Sequence, residues 1–150
     1  MFDELGDLYQ QVILDHSRSP RNFRKLQRAD REAQGRNPLC GDQVKIYLKL
    51  DGNRISDISF EGSGCAISKA SASVMTTILK GKTTEEARRL FDQFHDTVRT
   101  GKAPEGEKLA VFAGVHKFPA RVKCAILPWH AAVAALDAVT TPVTTESENT

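Results

Sequence analysis

Cysteine is scarce in this chain: three residues in 150, Cys40, Cys65 and Cys124. The odd number argues against a disulfide framework, and the wide separations exclude a local Cys-x-x-Cys redox pair. Metal ligation or thiol chemistry is what remains for them. Long apolar runs are missing too: none approaches the roughly 18 residues of a membrane-spanning helix. The chain starts with neither a charged-then-apolar leader nor an Arg-rich transit stretch, so a cytoplasmic protein with no membrane partner is expected. Charge of one sign is also lacking. The net charge is +2 with acidic and basic residues interspersed, which provides no field suited to nucleic acid. The basic stretch from Arg18 to Arg36 is the local exception and reads as solvated surface. Neither a repeat nor a low-complexity block is present, and the length suits one core without covalent staples.

What is present is periodic. Leu5, Leu8, Tyr9, Val12 and Ile13 recur at helical spacing, which predicts an amphipathic helix over the first 17 residues, ending before Pro20. Residues 18 to 37 are polar and read as an extended connection anchored by Phe23 and Leu26. From Val44 the pattern alternates through Ile46, Leu48 and Leu50, turns at Asp51-Gly52-Asn53, and returns through Ile55, Ile58 and Phe60, which predicts a β-hairpin. A helical stripe follows Cys65 and stops at Gly81. Thr83-Thr84-Glu85-Glu86 then opens another helix with a cap and acidic first turn. Gly101 to Pro119 is expected as a long connection with one short helix near Glu107 to Ala113. A last helix carries Ile126, Trp129, Val133 and Leu136. Residues 1–140 are thus expected as a single domain and 141–150 as a disordered C-terminal tail. The fold class is α+β: a small antiparallel β-sheet with helices packed on one face.

The hairpin brings chemistry together. Cys40 and Asp42 precede its first strand and Cys65 follows its second, so reversal of the chain puts all three at one edge of the sheet. In an extended segment Cys40 and Asp42 would point to the same side, with Gly41 allowing close backbone approach. Pro128 bears on Cys124: deep inside a helix a proline costs about 3 kcal/mol, whereas the first turn tolerates it. The last helix is therefore expected to begin at or just before Cys124. Two thiols would then lie at helix N-termini, where partial positive charge favours thiolate, with Arg121 and Lys123 adding to it. One cysteine alone is usually a small buried hydrophobe; three beside glycines or basic residues suggest a shared Cys3Asp metal site. Such a site suits zinc or an iron-sulfur cluster, with the carboxylate the arm most easily exchanged. His16, His95 and His116 read as surface or partly packed residues, and His130 as a reserve ligand.

Three segments together are specific: Leu8-Tyr9-x-x-Val12-Ile13-x-Asp15-His16-x-x-x-Pro20-Arg21-Asn22, then Asn37-Pro38-x-Cys40-Gly41-Asp42, then Gly64-Cys65-Ala66-Ile67-Ser68-x-Ala70-Ser71. In these the chain resembles the U-type iron-sulfur scaffold superfamily over about residues 5 to 138. The long Gly101 to Pro119 segment, and Lys123 where the IscU branch carries a histidine before the third cysteine, resemble the SufU branch instead. The resemblance implies a zinc site of Cys40, Asp42, Cys65 and Cys124 at the sheet edge and helix N-termini. It implies a sulfurtransferase role beside a pyridoxal-phosphate cysteine desulfurase of SufS type, with the N-terminal segment helping it dock. Cys40 would accept sulfur, released from zinc when a desulfurase histidine replaces it, and pass it to downstream iron-sulfur assembly proteins. Arg121 matches an arginine near the site and would give electrostatic support. Two further readings stay open: a scaffold on which a [2Fe-2S] cluster is assembled and transferred, and a structural zinc domain that mediates protein contacts.

Overall fold

The structure, a computed structural model, describes residues 4–38, 41–102, 108–139 and 141–144, and the side chains of residues 4–8 lie outside that description. Helix α1 spans Glu4–Arg18 and ends before Pro20. Strand β1, Arg31–Asn37, pairs antiparallel with β2, Asp42–Asp51, which pairs antiparallel with β3, Arg54–Ser63. The expected hairpin is therefore present, turning at Gly52, whose φ of +63° suits a residue without Cβ. Helix α2, Ala66–Leu79, and α3, Thr84–Thr100, follow; a 3-10 helix over Lys108–Lys117 and α4, Pro119–Leu136, complete the helical layer. The sheet order is β3-β2-β1-β4, where β4 is Val143–Thr144 lying parallel to β1 across Gly35 and Arg36.

Three expectations change here. The polar run before Cys40 contains a strand, β1, rather than only an extended connection. Its inward positions are the small or polar residues Ala33, Gly35 and Asn37, so the alternation that marks a buried strand is invisible in hydrophobicity. Smallness is required there: a Cβ on Gly35 would stand 3.0 Å from Leu127 Cδ1 and 3.3 Å from Val44 Cγ1. Next, the sheet is mixed rather than purely antiparallel, because two residues assigned to the tail form β4; residues 145–150 lie outside the described residues. Lastly, α4 begins at Pro119, so Pro128 lies inside it and Cys124 is one turn in from its start. A proline nitrogen cannot bond the carbonyl of Cys124, and its ring crowds that turn. Ser71 of α2 donates its hydroxyl to the next carbonyl, that of Ala125, at 2.5 Å, which ties α2 to this turn of α4.

The core lies between sheet and helices. Ile46 and Leu48 of β2 and Ile55, Ile58 and Phe60 of β3 are buried against Ala70, Val74 and Met75 of α2 and Leu127 and Ala131 of α4. Phe94 of α3 stacks on Trp129 with ring centroids 4.6 Å apart and meets Phe112 edge-on at 5.7 Å. Burying side chains of this size contributes about 1.5–3 kcal/mol each. Helix α3 opens with the full capping box: Thr83 Oγ1 accepts from Glu86 N at 3.1 Å and Glu86 Oε1 accepts from Thr83 N at 2.9 Å. Ahead of β1, Phe23 forms a bridge with Phe60 on the outer side of β3. This frame holds the start of β2, the end of β3 and the first turns of α2 and α4 at one end of the sheet.

Candidate metal centre

Asp42 opens β2, Cys65 caps α2, and Cys124 points from the second turn of α4; their ligand atoms all lie within 4.8 Å of one another. Cys40, the fourth expected donor, lies outside the described residues. Of the expected ligands the structure thus brings three together from three separate elements.

Each donor is held by local structure. Asp42 is 1% exposed. Its Oδ1 accepts the Cys65 backbone N–H at 2.8 Å, which leaves Oδ2 facing the Cys65 sulfur at 3.7 Å. Gly64 makes that approach possible: a Cβ there would fall 2.2 Å from Asp42 Oδ1, at a φ of +149°. Cys65 occupies the N-cap position, where a serine or aspartate is usual, and its sulfur accepts from Ser68 N at 3.4 Å. Cys124 is 3% exposed, and Asn37 Nδ2 donates to its sulfur at 3.5 Å. The segment before Asp42 is not extended as expected: Gly41 has a φ of +71° and donates its N–H to Asn37 O at 2.8 Å, so the chain turns there.

The electrostatics favour ionised sulfur. A hydrogen bond with Cys124 does most to lower the Cys65 thiol, to about 7. Burial opposes that shift, the Ser68 N–H adds to it, and the negative Asp42 opposes it. For Cys124 the expected place at a helix N-terminus is corrected by the start of α4 at Pro119. Arg121 is exposed, with its guanidinium 4.7 Å from the centre of the Phe118 ring. It lines the same groove as Cys65 and Cys124. That groove has a volume of about 720 Å³ and is mainly apolar, with Ile13, Leu14, Ile67, Val111 and Phe118 in its walls.

The donor set fits a tetrahedral metal. Bonds of about 2.3 Å to sulfur and about 2.1 Å to oxygen place neighbouring S and O atoms about 3.6 Å apart, close to the 3.7 Å between Cys65 Sγ and Asp42 Oδ2. Among the described residues no histidine belongs to this group. His130, the reserve ligand, packs against Phe91 at 5.2 Å on the α3–α4 side. His16 is engaged with Ser73 at 2.7 Å, and His116 with Ala113 O at 2.8 Å. Asn37 is the residue of the site that sequence reasoning missed as a participant. Its position on the inward face of β1 was the available signal, and β1 itself was not legible.

Residues 8–138 match the NifU-like N-terminal domain family, and the chain belongs to that family. It is 43% identical over 130 residues to the zinc-dependent sulfurtransferase SufU of Bacillus subtilis, covering 85% of this chain and 88% of that protein. It is 41% identical over 131 residues to the iron-sulfur cluster assembly scaffold protein IscU of Streptococcus pyogenes serotype M1, covering 85% and 82% respectively. Among solved structures, the N-terminal NifU-like protein of Brucella abortus superposes with a TM-score of 0.80 at 28% identity, covering 91% of this chain and 97% of that one. The resemblance seen in the three motifs is thereby borne out, as is the α+β class. Among the described residues no helix is long and apolar enough to cross a membrane.

Proposed function

We propose that this chain is a zinc-dependent sulfur acceptor of iron-sulfur cluster assembly, receiving persulfide sulfur from a cysteine desulfurase on Cys40. The observation that carries the reading is the donor set: thiols and one buried carboxylate converge, and no histidine joins them among the described residues. A carboxylate at an otherwise thiolate site speaks against a purely structural zinc domain, since such sites are usually closed by cysteine and histidine. The 43% identity to a protein named zinc-dependent sulfurtransferase supports the same choice.

Zinc bound by Asp42, Cys65, Cys124 and Cys40 would hold the thiols as thiolates and bring no redox chemistry of its own. The chain supplies the rest. Cys40 falls in sequence between Asn37 and Gly41, whose backbone groups are hydrogen-bonded to each other, and it is two residues from Asp42. Its thiolate attacks the terminal sulfur of the donor's persulfide. A new S–S bond forms on Cys40, the donor's S–S bond breaks, and the donor cysteine leaves as thiolate, so sulfur moves with no net oxidation. The apolar groove beside Cys65 and Cys124 is where the segment carrying that persulfide would enter and shed water. Arg121, on its wall, offsets the negative charge that three thiolates and Asp42 bring together.

Metal and acid-labile sulfide content of protein purified without oxygen tests the reading. The expectation is about one zinc per chain and no sulfide, as for a Cys3Asp zinc site, with persulfide accepted by wild type and not by Cys40→Ala. Normal persulfide loading of Cys40→Ala would sink the assignment of the acceptor. The second reading, a scaffold for a [2Fe-2S] cluster, is favoured by the 41% identity to a protein named for that role. Iron with equimolar sulfide would select it. Partnership with a SufS-type desulfurase and with downstream assembly proteins belongs to the same proposal.

A further inference from the structure

Asn37 ends β1 on its inward side and is 1% exposed. Its Nδ2 donates to Cys124 Sγ at 3.5 Å, while its Oδ1 is enclosed and has no hydrogen-bond partner among the described residues. An unpaired buried amide oxygen costs about 1–3 kcal/mol, so an apolar residue of similar size would serve packing better here. The backbone that carries the side chain is fixed: its oxygen accepts the Gly41 N–H at 2.8 Å. The amide also presents the correct group, since its nitrogen is its only donor and a sulfur ligand offers only lone pairs. A hydrogen bond to a metal-bound sulfur takes up part of its charge, which makes it a poorer nucleophile and lessens the repulsion among anionic ligands crowded on one metal. The two described thiols therefore stand in unlike settings: Cys124 is buried and bonded by a side-chain amide, whereas Cys65 is half-buried at a helix cap.

We propose that Asn37 is a positioning residue that makes Cys124 the ligand retained throughout sulfur exchange, its amide N–H keeping that sulfur ligated and unreactive so that exchange falls on the other thiols. The meaning of exchange rests on the sulfur-acceptor reading; the Asn37–Cys124 contact does not. The device gives the site a fixed end and a working end, although its three sulfurs are chemically the same.

The test uses the full zinc-loaded chain. Wild type is treated with iodoacetamide, quenched at intervals and mapped by peptide mass; Cys124 is expected to be modified last. In Asn37→Leu, which keeps bulk and removes the donor, Cys124 gains reactivity relative to Cys65. Zinc affinity by chelator competition falls about 10- to 100-fold, the range for loss of an outer-shell partner. In the cobalt-substituted protein the thiolate-to-cobalt charge-transfer band moves to lower energy, because a sulfur lone pair freed of its hydrogen bond rises. A purely structural role would leave that band in place, and an unmoved band with an unchanged order of alkylation overturns the proposal. Asn37→Ala answers the same questions if leucine prevents folding. Cys124 reacting as fast as Cys65 in wild type overturns it with no variant at all. Failure of wild type to accept persulfide, with the band shift present, would remove the sulfur-acceptor reading and leave the Asn37 contact standing.

Discussion

Replacing Gly64 with alanine should disable the metal site through a methyl group that touches no metal. The added Cβ would lie 2.2 Å from Asp42 Oδ1, 2.9 Å from its Cγ and 3.0 Å from its Cα. The last of these is backbone at the head of a paired strand, so the carboxylate rather than the strand has to move. A side chain at a φ of +149° adds about 1–3 kcal/mol of backbone strain. Losing the Cys65 N–H bond to Asp42 removes about 1.5–3 kcal/mol more, the range for a bond to a charged group. The metal-free protein should thus lose about 2.5–6 kcal/mol, a large part of an ordinary domain's 5–15 kcal/mol. Zinc affinity should fall as well, because Oδ2 is aimed only while Oδ1 is held. Gly52→Ala is the control: its φ is +63° with nothing within 4 Å of the new Cβ, so it should cost about 1–2 kcal/mol and leave the site alone. Urea melts with and without zinc, together with chelator competition, measure both quantities. Wild-type zinc affinity in Gly64→Ala, or an equal loss in Gly52→Ala, would refute the reasoning.

Further expectations follow from the same geometry. The Tyr47 hydroxyl, 2.5 Å from Glu61 Oε1, is pushed up to about 12, first by burial and then by that carboxylate. A raised value means that its stabilisation is whole below pH 10, the ordinary tyrosine value, and is lost as pH rises through 12; alkaline melts of wild type against Tyr47→Phe should converge over that window. Gly35→Ala should overpack the β1–α4 contact and cost about 1–3 kcal/mol in denaturant titrations. Thr83→Ala should lower stability by about 1 kcal/mol through loss of the α3 cap, and a melt unchanged at neutral pH would speak against the capping box.

What could be read beforehand depended on which physical signal each element carries. The hairpin was legible because Val44, Ile46 and Leu48 alternate and Gly52 supplies its turn. From it followed the meeting of Asp42 and Cys65, which is topology and needs no side-chain detail. Strand β1 was hidden because Gly35 and Ala33 are small to admit α4, so packing had erased the hydrophobic alternation. The start of α4 was misjudged because Pro128 was taken to mark a first turn, whereas α4 carries it in its interior. That mistake moved Cys124 to the wrong end of a turn yet kept it near the site, since one turn of helix advances only about 5.4 Å.

The two short pairings at the flanks of the sheet bear on life without the metal. An outer strand with bare N–H and C=O groups is a template for joining another chain. Here Phe23 is seated along β3, and Val143 and Thr144 along β1, while the rest of β1 displays Arg31, Glu32 and Gln34 to water. A carrier that is emptied and refilled would pass repeatedly through loosened states. Flanks interrupted and charged in this way would work against edge-to-edge joining of two copies between one delivery and the next.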